Sequence, residues 1–235
     1  MVKKYGPNLR FASKKAIKDL RELYDQDTNI LQAPRTPFEW ASYLRTQPTE
    51  AIKYFGIDRR EVTMLPPGAG DSGLAMFDPS LGENGTILIK SRDSGYSSSA
   101  YWEESVRFSE AHELGHAQLH KHEGPNYRGS PDYNSTLEPE ANAYAATFLM
   151  PEKLLRQLIL VLFRKWQVDG ALHAHLFDRD FWDQITIQAA NYSVSPREDP
   201  AYRATLMLSH ALAPLLLVSP RAMRIRIQAL HLVKD

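Results

Sequence analysis

The sequence predicts an α+β fold that is mainly helical, and three observations carry that reading. The first 55 or so residues hold apolar residues at helical spacing and helix-start signals. Between residues 61 and 90 the chain changes to short apolar stretches separated by turn residues, which read as a small three-stranded sheet. From Glu152 onward nearly every segment is helical, forming an additional C-terminal helical region. With 235 residues the chain suits one large domain or two small ones. The divisions that follow are 1–60, an N-terminal helical segment; 61–151, a core; and 152–235, the C-terminal helical region.

Composition narrows the function classes. At 43% hydrophobic and 24% charged the chain is an ordinary globular sequence. Lys+Arg and Asp+Glu are both 28, so the net charge is zero, which argues against a surface given over to nucleic acid. The chain has no cysteine. That excludes a disulfide scaffold and any thiolate metal site, and it fits a reducing compartment. The opening Met-Val-Lys-Lys-Tyr-Gly-Pro is followed by no apolar stretch of the signal-peptide kind. The most apolar runs, Leu158–Phe163 and Ala211–Val218, fall far short of the ~20 residues of a membrane span. A cytoplasmic protein without a membrane partner is the expectation.

Taken in order, residues Met1–Arg10 read as a loose tail. Ala16, Ile17, Leu20 and Leu23 form a helical stripe over Lys14–Tyr24. Thr36-Pro37-Phe38-Glu39 starts a helix that runs to about Arg45: Thr36 caps, Pro37 suits the first helical position and Glu39 completes a capping box. Thr49–Phe55 is a short helix closed by Gly56 in a left-handed cap. Glu61–Leu65, Gly73–Phe77 and Thr86–Lys90 are the strands, read as a meander, with Asn84-Gly85 as a turn before the last. Ser91–Ala100 is a loop leading into a helix from about Glu103 to His120. Lys121–Leu137 is polar and irregular, a long loop beside the motif described below, where such loops tend to be functional. A helix from Pro139 to about Leu149 stops at Met150-Pro151, since proline pushes its predecessor out of the α region. Lys153–Trp166, Phe181–Ala190, Ala201–Leu217 and Pro220–Leu230 are the later helices.

The chemistry gathers at His112-Glu113-Leu114-Gly115-His116, an H-E-x-x-H run inside a helix. Residues four apart share a helix face, so His112 and His116 offer two imidazole nitrogens to one metal ion. Glu113 lies about 100° further round, placed to act on a water rather than as a ligand. This is the pattern of a zinc hydrolase with a glutamate general base. The bland alternative is a pair of histidines on an ordinary helix.

Catalytic zinc takes three protein ligands, so a third is needed. His120 lies on the same stripe as His112 but about 12 Å along the axis, too far for one tetrahedral ion to collect all three. Enzymes that use a third histidine there place a glycine between, and Ala117-Gln118-Leu119 fills that gap here. His120 then reads as a packing or supporting residue. Glu138 is the stronger candidate: it opens the next helix, shares a face with Asn142, and the alanines at 141, 143, 145 and 146 permit close packing. Glu140 is its competitor, and either glutamate would also suit a helix N-terminus.

Three stretches resemble the ImmA/IrrE family of zinc metallopeptidases. The first is Arg107-Phe108-Ser109-Glu110-Ala111-His112-Glu113-Leu114-Gly115-His116 with Leu119-His120. The second is Glu138-x-x-Ala141-Asn142-Ala143-Tyr144-Ala145-Ala146 with Phe148-Leu149-Met150-Pro151. The third, which is supportive, is Val218-Ser219-x-x-Ala222 with Arg224-Ile225-Arg226, Leu230 and Leu232. The resemblance covers roughly residues 50–151 and 210–232; the first ~50 residues and Glu152–Ser209 exceed what it needs. It implies a zincin-like core, zinc as cofactor, His112, His116 and Glu138 as ligands and Glu113 as the catalytic base. It also implies a specific protein substrate, a DNA-binding repressor or antitoxin of the helix-turn-helix type encoded nearby, and hence a role in transcription regulation.

Other readings stand beside it. Tyr144 is a candidate second oxyanion donor, with a core role as its alternative. Ile87–Ile89 is either an ordinary buried strand or a sheet edge for an extended substrate. The chain could instead be a zinc-binding regulatory module that binds protein or DNA without turnover. Arg221, Arg224 and Arg226 on the second of two helices around Val218-Ser219-Pro220 would suit a helix-turn-helix, though solvated arginine faces are commoner. A zinc hydrolase acting on a non-peptide bond is the third reading. Glu113 favours an enzyme, because a structural zinc is closed by a fourth ligand and has no use for a base.

Overall fold

The computed structural model describes residues 8–27, 36–45, 47–66, 74–92, 102–121, 136–169, 171–190, 192 and 194–235. In chain order the helices are α1 (Leu9–Asp27), α2 (Pro37–Arg45), α3 (Thr49–Tyr54), α4 (Trp102–Leu119) and α5 (Leu137–Leu149), then α6 (Glu152–Phe163), α7 (Arg179–Gln188), α8 (Pro200–Leu216) and α9 (Pro220–Ala229). The strands are β1 (Asp58–Val62), β2 (Ala75–Asp78), β3 (Thr86–Lys90), β4 (Gln167–Val168), β5 (Ala171–His173) and β6 (Val233–Lys234). The fold is thus α+β and mostly helical. Contacts divide it into two units, Met1–Ala33 with Thr46–Leu149, and Pro34–Arg45 with Met150–Asp235.

In the first unit, α1 begins earlier than its apolar stripe. Asn8 caps it, its Oδ1 accepting the Phe11 N–H at 3.0 Å, so Leu9 and Arg10 are helical rather than part of a tail. The remainder of the expected tail lies outside the described residues. Ala12, Ala16, Leu20 and Leu23 are buried, and the helix packs on α5. Gly56 follows α3 with φ +65°, the left-handed conformation the sequence predicts there.

The sheet corrects the expected meander. Its order is β1-β3-β2, with β1 parallel to β3 and β2 antiparallel to it. The physical reason is apolarity: β3 buries Thr86, Ile87, Leu88 and Ile89 and takes the place paired on both sides. β1, Asp-Arg-Arg-Glu-Val, is largely exposed and suits an edge. It also starts at Asp58 rather than Glu61, because a strand whose faces are mostly solvated leaves little apolar alternation to read.

In the second unit, α2 carries the predicted capping box: the Glu39 N–H donates to Thr36 Oγ1 at 3.2 Å and the Thr36 N–H to Glu39 Oε2 at 3.1 Å. Asp178, Asp199 and Ser219 cap α7, α8 and α9 with their side chains. Phe163, Trp166, Phe177 and Phe181 form an aromatic cluster. The C-terminal region, read from the sequence as almost wholly helical, also holds β4, β5 and β6, which make a second small sheet with β6 parallel to β5. Strands of two or three residues are too short to show a period. No single described helix is long and apolar enough to cross a membrane.

Candidate functional site

Helices α4 and α5 build the site. They pack closely because Gly115 has no side chain: a Cβ there would meet Ala141 Cα at 3.1 Å, Ala141 O at 3.2 Å and Tyr144 Cβ at 3.2 Å. Ala141 and Ala145 are fully buried in the same contact region of α5. Within its first half, α4 is anchored by buried polar groups. Glu110 is buried and accepts from Arg59 Nε on β1 at 2.7 Å and from Thr49 Oγ1 on α3 at 3.3 Å. Arg107 Nε donates to the Gln47 carbonyl at 2.9 Å. A buried charge of this kind is tolerated only when so paired.

This packing brings three of the candidate residues together. His112 Nε2 and His116 Nε2 lie 3.1 Å apart, one oxygen of Glu138 is 3.2 Å from His112 Nε2, and the other is 3.5 Å from His116 Nε2. Two imidazoles and a carboxylate in this group could hold a metal ion. The fit is quantitative: ligands ~2.0–2.1 Å from a tetrahedral zinc stand ~3.3 Å from one another. Among the described residues no fourth His, Asp or Glu belongs to the group. The backs of both rings are engaged, leaving Nε2 to face the group. His112 Nδ1 is 3.1 Å from Asn142 Oδ1, so Asn142 partners a histidine, while Glu138 one turn earlier reaches both rings.

The charges respond to this crowding. Burial acts to lower the His112 pKa, but the hydrogen bond to Glu138, with the Glu113 and Glu138 charges, outweighs it and raises the value above 6.5. Burial acts to raise Glu138, yet hydrogen bonds and charge from His112 and His116 hold it well below the usual carboxylate range.

Glu113 points toward the sheet. Its Oε2 accepts the backbone N–H of Phe77 on β2 at 2.7 Å. Because Lys90 N–H donates to the carbonyl of Leu74, just before β2, the residues bonded to β3 are Leu74 and, within β2, Met76 and Asp78. Ala75 and Phe77 therefore aim their backbone groups away from the ladder, Phe77 toward Glu113. The strand edge at the site is β2. Ile87–Ile89, the stretch weighed as an edge in the sequence, lies in the central strand.

The remaining candidates fall elsewhere. His120 Nδ1 is 3.1 Å from His116 Nδ1, on the opposite side of that ring from the metal group, and Glu140 Oε2 is 3.0 Å from His120 Nε2. Tyr144 is not an oxyanion donor: it is buried, stacks on Phe148, and its hydroxyl donates to the buried Asp19 at 2.7 Å. The loop read over Lys121–Leu137 lies outside the described residues at positions 122–135. Sequence reasoning missed Arg59, Glu110 and the Phe77 amide. Neither buried ion pairs between distant segments nor a backbone N–H leaves a mark in a motif.

Residues 61–176 match the IrrE N-terminal-like domain, Peptidase_M78. No curated protein and no solved structure matches the chain. The matched span contains α4, α5 and every residue of the metal group, and it runs on past Pro151 through α6. The C-terminal stretch around Val218–Leu232, read as part of the resemblance, lies outside it. Through residues 61–176 the chain belongs to the Peptidase_M78 family of IrrE N-terminal-like domains.

Proposed function

We propose that the protein is a zinc-dependent endopeptidase with a zincin-like core. Its proposed substrate is a specific regulatory protein, a repressor or antitoxin of the helix-turn-helix type. The observation that carries this reading is the convergence of His112 Nε2, His116 Nε2 and Glu138 at 3.1–3.5 Å, with Glu113 beside them against a strand edge. A His/His/carboxylate donor set without thiolate is that of catalytic zinc in hydrolases.

Zinc held there supplies a Lewis acid that activates water and polarises a carbonyl. The protein supplies the rest. Glu113 takes the proton from the attacking water and delivers it to the leaving amine nitrogen. The outward backbone groups of Ala75 and the outward carbonyl of Phe77 offer an extended peptide main-chain hydrogen bonds along β2, while the Phe77 N–H stays on Glu113, and this lays the peptide carbonyl beside Glu113. Binding through a strand edge reads backbone, not side chains, so selectivity has to come from docking away from the reacting bond.

The test is to incubate the protein separately with casein and with the product of a regulator gene encoded beside it, with and without a zinc chelator. The proposal expects one or few cuts in the regulator, abolished by the chelator, and little cutting of casein. Rapid zinc-dependent digestion of casein at many sites contradicts the specificity. An intact regulator, under conditions where Glu113-dependent peptide hydrolysis is measurable, contradicts the substrate. Biological function that survives loss of cleavage favours a zinc-binding module without turnover.

A further inference from the structure

We infer that His120 and Glu140 are positioning residues: they form a directional hydrogen-bond chain that fixes the orientation and tautomer of His116 as a metal ligand. The inference rests on the metal-site reading above and deepens it.

The chain runs in one line. Glu140 Oε2 lies 3.0 Å from His120 Nε2, and His120 Nδ1 lies 3.1 Å from His116 Nδ1. An ionised carboxylate only accepts, so His120 Nε2 carries the proton in that bond. In a neutral imidazole the other nitrogen is then an acceptor, and His120 Nδ1 receives the proton of His116 Nδ1. His116 Nε2 is left with a bare lone pair directed at His112 Nε2 and Glu138. One carboxylate at the far end thus sets every donor and acceptor along the line. Metal-bound histidines commonly hand their second nitrogen to a carboxylate or carbonyl, which fixes tautomer and ring angle. Here an intervening histidine spans the gap.

The geometry is built rather than incidental. His116 and His120 are both buried, so neither ring can turn out to solvent without losing its partner. His120 stands just past the end of α4, and its N–H donates to the His116 carbonyl at 2.8 Å, which keeps the two rings on one face. Glu140 is itself anchored: its Oε1 accepts the backbone N–H of Asn8, the cap of α1, at 2.5 Å. Helix α1 lies outside the matched domain, yet it holds the carboxylate that starts the line. The two ligand rings are therefore supported differently, His112 by the neutral amide of Asn142 and His116 by a line that ends on a carboxylate.

The test measures zinc affinity by competition with a chromogenic chelator, in the wild type and in His120→Leu, His120→Asn, Glu140→Met and Glu140→Gln. Leucine and methionine fill similar space without the hydrogen bonds. Asparagine and glutamine keep an acceptor oxygen near the position of the lost one. Loss of outer-shell partners weakens metal affinity by about 10- to 100-fold. The expectation is that drop for His120→Leu and Glu140→Met, with one zinc still bound at saturation, and a clearly smaller drop for the asparagine and glutamine variants. Wild-type affinity in both apolar variants overturns the inference. So does a His120→Leu protein that stays folded and binds no zinc at saturation, since His120 would then be a ligand. Equal losses in His120→Asn and His120→Leu would show that packing and not hydrogen bonding matters, which also overturns it. A wild-type protein that binds no zinc refutes the metal site itself, a different failure.

Discussion

At the residue scale, two positions separated by one residue do different work. Glu138 reaches both histidines, and Glu140 points to His120 on the far side of His116. The sequence ranks Glu138 above Glu140 as the third ligand and leaves a helix N-terminal role open for either. The choice depends on how α5 is rotated against α4, which no local pattern states. Glu138→Ala is expected to lose stoichiometric zinc in elemental analysis, while Glu140→Ala keeps it when zinc is in excess; the reverse result would exchange their roles. A second consequence concerns pH. The His112 pKa in the metal-free fold is raised above 6.5. Its protonation therefore stabilises that fold fully below the unfolded value, and the stabilisation is lost as pH rises through the folded one. Glu138, depressed from 4.5, contributes above its unfolded value and stays constant across the neutral range. A zinc held as proposed would replace the proton as partner of Glu138. The gap in Tm between zinc-loaded and chelator-stripped protein should widen as pH rises upward from 6.5. A gap that is constant or narrows would contradict this charge arrangement.

At the scale of elements, the site depends on how near α5 comes to α4. Gly115 stands opposite Ala141 and Tyr144, where even one added carbon would press on α5 backbone at 3.1–3.2 Å. Glycine costs the helix roughly 1 kcal/mol relative to alanine, and the close approach offsets that cost. Gly115→Val is expected to destabilise by roughly 1–3 kcal/mol, as overpacking does, and to weaken zinc binding by moving Glu138 away from the histidines. Thermal denaturation and zinc titration check it together; unchanged values in both would show that the helices have slack. The helices were legible in the sequence because each carries its own signals: the Thr36/Glu39 box, Gly56 and Pro151. The order of the strands was not, since β1-β3-β2 and a meander use the same stretches. Pairing between distant segments decides the order, and the burial of β3 is what decides it here.

At the scale of the whole molecule, the residues that support the site come from more of the chain than the motif and its matched domain. Asp19 on α1 and its cap Asn8 hold Tyr144 and Glu140, and Arg59 holds Glu110, although Asn8, Asp19 and Arg59 all precede residue 61. Motif spacing made His112, Glu113 and His116 readable from the sequence, whereas these supports appear only once the chain is folded. In the proposed mechanism Glu113 serves as a proton carrier beside a zinc held by His112, His116 and Glu138. Glu113→Gln tests it most directly, because glutamine keeps the shape and an acceptor oxygen for the Phe77 N–H yet takes no proton at neutral pH. The measurement is zinc content and peptide hydrolysis on the same preparation, beside the wild type. The expected result is one zinc per chain in both proteins, with hydrolysis reduced on the order of 10²-fold or more in the variant. Undiminished hydrolysis by Glu113→Gln with its zinc in place would contradict the account.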